Sequence, residues 1–99
     1  MAYTVRLTRR ARENIQRLYR YLLLRDKHAA RRAFSTLEKG IASIGEFPFS
    51  YRKTSPEQAF LREMLIPFGD SGYVVLYEVE EGEIVTILAV RHQREDDYH

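Results

Sequence analysis

The last eleven residues, Ala89-Val90-Arg91-His92-Gln93-Arg94-Glu95-Asp96-Asp97-Tyr98-His99, hold the side-chain types best suited to chemistry. An imidazole exchanges protons near neutral pH, and a guanidinium stabilises phosphate charge. His92, Arg94 and Tyr98 would supply a base, an anion stabiliser and a proton donor. Those are the parts that cleavage of RNA through its 2′-hydroxyl requires. The same run also reads as a charged chain end with no chemistry of its own. Upstream, Arg52, Lys53 and Arg62 are scattered cations that could line the same side. Phe47, Phe49, Tyr51, Tyr73 and Tyr77 could stack on bases or serve as core and loop anchors.

Other chemistries lack their residues. There is no cysteine and the three histidines are well separated, so neither thiol chemistry nor a metal site is expected. No phosphate-cradling glycine loop, dinucleotide turn or Ser/His/Asp arrangement is present, so no cofactor is expected either. The N-terminal residues lack an apolar export region. No apolar run approaches the ~20 residues of a membrane span. The expectation is one cytoplasmic domain spanning residues 1–99, with no membrane partner.

Net charge is only +2, but it is unevenly spread. Residues 1–39 carry eleven Lys/Arg against three Asp/Glu, or +8; residues 40–99 carry five against eleven, or −6. Such asymmetry suits an anionic partner, acidic protein or nucleic acid. Arg9, Arg10 and Arg12 fall in the first turn of a helix, and Lys27 and His28 open another. Cations there oppose the helix dipole, at ~0.3–1 kcal/mol each when exposed. They form either a solvated face or a binding face.

The elements that must position these groups are legible from periodicity. Tyr3, Val5 and Leu7 alternate with polar residues as in a half-buried strand. Thr8 is placed to cap a helix from about residue 9 to 25, whose apolar stripe is Ala11, Ile15, Leu18, Tyr19, Leu22 and Leu23. Asp26 is placed to cap a second helix with stripe Ala30, Ala33, Phe34, Leu37, Ile41 and Ile44, which Gly45 and Pro48 should end. So short a link makes an αα-hairpin. Residues 46–59 read as a loop, and strands are expected at 60–66, 73–79 and 84–90. Residues 67–72 and 80–83 should separate them. The resulting fold is α+β in the order β-α-α-β-β-β, a helical hairpin on a small antiparallel four-stranded sheet. Which edge the first strand joins is left open.

Several segments in this order resemble the RelE/ParE toxin superfamily. Thr8 with Ala11 and Ile15, then Ala33…Leu37-Glu38-Lys39-Gly40-Ile41, is similar to its helical hairpin. Arg62-Glu63-Met64-Leu65…Gly72-Tyr73-Val74-Val75-Leu76-Tyr77 resembles its central sheet, and Ile87-Leu88-Ala89-Val90-Arg91-His92-Gln93-Arg94 looks like the tail of ParE-like members. The resemblance implies the toxin of a bacterial type II toxin–antitoxin pair, held in a hetero-oligomer by an antitoxin's acidic C-terminal segment. Arg9, Arg10, Arg12, Leu18, Leu22 and Arg31 would meet that antitoxin. RelE-like members cut mRNA in the ribosome, whereas ParE-like members inhibit DNA gyrase. The RelE-like pattern has an arginine directly after the Gly-Tyr pair; Val74 stands there, and Met64 spoils a basic pair with Arg62. Gyrase is therefore the expected target, met by Arg52, Lys53, Arg62, Arg91, His92 and Arg94. A ribosome-dependent ribonuclease using His92, Arg94 and Tyr98 is the alternative, and a non-catalytic nucleic-acid-binding module is the third.

Overall fold

The computed structural model describes residues 2–94. Its elements are β1 (Thr4–Leu7), α1 (Arg9–Leu23), α2 (Lys27–Glu46), β2 (Arg52–Lys53), β3 (Leu61–Phe68), β4 (Ser71–Glu80) and β5 (Ile84–His92). The strands form one five-stranded sheet in the order β1-β5-β4-β3-β2. The α+β class and the element order are as expected, with two differences in the sheet. The two-residue β2 adds a fifth strand at one edge, pairing Arg52 with Glu63 and Lys53 with Arg62. At the other edge β1 runs parallel to β5, so the sheet is mixed rather than antiparallel.

Both helices start where their caps predict. The Thr8 side chain accepts from the Ala11 N–H at 3.0 Å, and Asp26 accepts from the His28 and Ala29 N–H groups at 3.0 and 3.1 Å. Each cap satisfies donors that the first turn leaves free. Gly45 does not end α2. It lies buried in the last turn, where a Cβ would come within 2.7 Å of Val5 Cγ2. Glycine serves close approach there, and the Tyr3 N–H donates to the Gly45 carbonyl at 2.8 Å.

The β3–β4 connection is shorter than expected. Pro67 and Phe68 continue β3, Ser71 and Gly72 belong to β4, and only Gly69-Asp70 turns. Gly69, at φ 61°, takes the first central position of this two-residue hairpin. Pro67 is tolerated because β2 pairs with β3 only at residues 62–63, which leaves that edge free.

The two helices cover one face of the sheet. Ala11, Leu18, Ala33, Leu37 and Ile44 from the hairpin pack with Ile66, Tyr73, Val75, Tyr77, Val79, Val85, Ile87 and Val90. Between the pairs Leu76–Ala89 and Tyr77–Ile87 the register slips by one residue, which makes Leu88 a bulge. Beyond Leu7 the edge of β5 has no strand partner among the described residues, and α1 takes its place. The Thr8 hydroxyl donates to the Leu88 carbonyl at 3.0 Å, and the Val90 N–H donates to Asn14 Oδ1 at 3.0 Å. Asn14 is the buried polar side chain of the described residues, and this bond explains it.

Candidate functional site

Successive residues of a strand point to opposite faces, and this separates the C-terminal candidates. Arg91 pairs with Val74 and faces away from the helices, whereas His92 pairs with the core residue Tyr73 and faces toward them. Arg91 Nη1 donates back to the carbonyls of His92 and Gln93 at 3.2 and 3.3 Å. The His92 ring lies 5.8 Å from that of Tyr73, nearly perpendicular to it. His92 Nδ1 accepts from the Arg94 N–H at 3.2 Å, which leaves the ring proton on Nε2, 2.9 Å from Ser71 Oγ. His92, Ser71 and the Arg94 backbone thus meet at one end of the sheet. Tyr98 lies outside the described residues.

The other cations expected beside them are elsewhere. Arg52 sits three strand spacings from β5, about 14 Å. Its guanidinium is held by Glu63, with Nε and Nη2 at 2.8 and 2.7 Å from Oε1. Lys53 is exposed on the same edge strand. Arg62 faces the helix side, because its partner across β4 is the fully buried Tyr77. There it donates to the carbonyls of Ala59, Phe49 and Tyr51 at 2.8, 3.0 and 2.7 Å. The Tyr77 hydroxyl donates to the Pro48 carbonyl at 2.5 Å. Burial pushes that phenol up to about 12, with Arg62 pulling slightly the other way. Arg62 and Tyr77 therefore anchor the loop after α2, and Arg62 is corrected from a target-binding residue to a structural one. A cation facing inward has no signature in sequence; only the pairing across β4 reveals it.

On the face without helices, Val74 lies between Leu65 of β3 and Arg91 of β5, and it is 1% exposed. Leu76 and Ala89 adjoin it by register. The centre of this face is apolar.

The helical hairpin presents a different surface. Val5, Leu7, Ile15, Phe34, Leu37 and Ile41 line an open groove of about 540 Å³ between β1 and the two helices, with Arg12, Gln16 and Glu38 at its rim. β1 is the last strand of the sheet, so the groove runs beside a strand edge that is unpaired among the described residues. Arg9, Arg10, Arg12 and Arg31 are exposed. Leu18 is not: it is buried between the helices and the sheet, and Leu22 is half-buried beside it. Those two leucines belong to the core, because their stripe also packs α1 on α2. The groove residues were legible only as apolar stripe positions. That some of them remain uncovered depends on how far apart the helices and β1 sit.

Residues 5–97 match the family described as the ParE toxin of the type II toxin–antitoxin system parDE. Toxin RelE1 of Caulobacter vibrioides is 38% identical over 79 residues, covering 80% of this chain and 82% of that protein. Among solved structures, the chromosomal ParDE system from P. aeruginosa aligns with a TM-score of 0.73 at 13% identity, over 92% of this chain and 96% of that one. The toxin–antitoxin complex RelBE2 from Mycobacterium tuberculosis aligns with a TM-score of 0.61 at 23% identity, over 94% and 100%. The structural likenesses concern the fold.

Proposed function

Because the chain belongs to the RelE/ParE superfamily, as a toxin of the type II toxin–antitoxin kind, we propose that it acts in the cytoplasm by inhibiting DNA gyrase and is silenced by its antitoxin. The observation that carries the target is Val74. The nuclease pattern calls for an arginine at this position, and here a valine is buried between Leu65 and Arg91. Loss of one preorganised anion stabiliser costs ~2.7–4 kcal/mol at a transition state, about 10²–10³ in rate. Arg62 does not replace it, since its Nε and Nη1 are held by three loop carbonyls on the helix side of the sheet, the face opposite Val74. A toxin that works by binding needs no such group.

The antitoxin's place is the groove beside β1. An amphipathic acidic segment would set aliphatic side chains against Ile15, Phe34 and Ile41 and carboxylates against Arg12 and the exposed arginines nearby. That role would also explain why both helices keep first turns without a single acid.

Purified, antitoxin-free protein should block supercoiling and accumulate cleaved DNA only when gyrase is present. Supercoiling that continues at full rate under excess protein would overturn the gyrase reading. The ribonuclease reading keeps a claim through the relative named Toxin RelE1 and the position of His92 at the end of β5, where the Arg94 backbone N–H donates to it. It predicts codon-phased mRNA cuts that need ribosomes and vanish in His92→Ala or Tyr98→Phe.

A further inference from the structure

At the end of the molecule away from His92, a second groove of about 380 Å³ lies between the β4–β5 turn and the loop after α2. Its walls are Tyr3, Phe49, Phe60 and Val79, and Glu80, Glu81 and Glu83 stand along it. The Phe49 and Phe60 rings meet at 73° with centroids 6.0 Å apart, forming a corner. They are 46% and 59% exposed, an unusual state for large aromatic residues. Glu80 is engaged by Arg6 at 3.5 Å and by the Thr86 hydroxyl. Among the described residues neither Glu81 nor Glu83 has an ion-pair partner.

We infer that this groove receives an arginine or lysine side chain from an extended segment of a partner protein. Ring faces attract cations through the aromatic quadrupole, and a flanking carboxylate adds charge. The Arg62 guanidinium carbon already sits 5.0 Å from the Phe49 ring centroid, so an incoming cation would meet chiefly the Phe60 ring and the carboxylates. The groove is chemically opposite to the hairpin surface, which is basic and apolar, and an acidic antitoxin segment would be repelled from it. The inference does not depend on whether gyrase or the ribosome is the target.

The test uses the ¹⁵N-labelled full chain and two capped peptides, one of alternating leucine and arginine, the other of alternating leucine and glutamate. The arginine peptide should shift the amide signals of Tyr3, Phe60, Gly82 and Glu83 with saturable, millimolar binding. The glutamate peptide should leave them unmoved. Phe60→Ala and the double change Glu81→Gln, Glu83→Gln should each weaken binding by about fivefold. Both lie on exposed side chains, so the remaining spectrum should keep its dispersion. No shift at these amides, equal shifts with both peptides, or affinity unchanged in both variants would each overturn the proposal.

Discussion

At the scale of single residues, three polar side chains do structural work that their types do not announce. Asn14 accepts the Val90 N–H where β5 has lost its strand neighbour. Asn14→Ala should cost about 1–3 kcal/mol in urea denaturation, because a buried N–H is left unsatisfied. Asn14→Asp, which retains an acceptor, should cost less at acid pH than at neutral pH. Tyr77 holds Pro48 and is shifted upward chiefly by burial. A phenol whose folded value lies above its ordinary 10.0 favours folding fully below pH 10, and that support fades as pH rises through about 12. Tyr77→Phe should therefore be less stable than the parent by ~0.5–1.5 kcal/mol at pH 8, with the gap closing in alkali. A gap constant from pH 8 to pH 12 would contradict this account. Arg62 is the third, and it shows why a basic residue in a strand is a weak indicator of a binding site.

At the scale of elements, the helices are specified locally and the sheet is not. Asp26 caps α2, and hydrogen bonding from the Ala29 N–H is the main cause that lowers its carboxyl below 3.8. A lowered carboxylate stabilises the fold above its ordinary value, and this support is lost as pH falls through the folded value. Asp26→Asn keeps a capping oxygen without the titration. Thermal melts should show the parent ahead at pH 7 and the difference shrinking below pH 4; an unchanged difference at pH 3 would rule out the charged cap. The sheet depends on edges instead. β1 found its partner eighty residues away, and α1 covers what β1 leaves of the β5 edge.

At the scale of the whole molecule, charge is sorted by region. The helices carry most of the basic residues, while Glu80, Glu81 and Glu83 crowd the β4–β5 turn at the far end of the sheet from His92. Uneven charge of this kind steers encounter more than it tightens a complex. Antitoxin association should slow by about tenfold between low and high salt, while dissociation changes little. Stopped-flow mixing would check this, and an association rate indifferent to salt would remove the helices' arginines from the encounter.

By itself the sequence determined the two helices, their caps, four of the five strand segments and the α+β order, but not β2. Each of these rests on contacts between near neighbours: a side chain at Thr8 or Asp26 with the turn it starts, or apolar residues recurring at one period. The tail around His92 and Arg94 could be singled out for the same reason. Only the tertiary structure decided that β1 lies parallel to β5, that Leu88 bulges, that Arg62 turns inward and that Val74 is buried between Leu65 and Arg91. It also decided that Arg91 and His92 part to opposite sides. These outcomes hang on which edges meet and in what register. A shift of one residue reverses every side chain in a strand, and nothing within a single strand's period says which neighbour it will face.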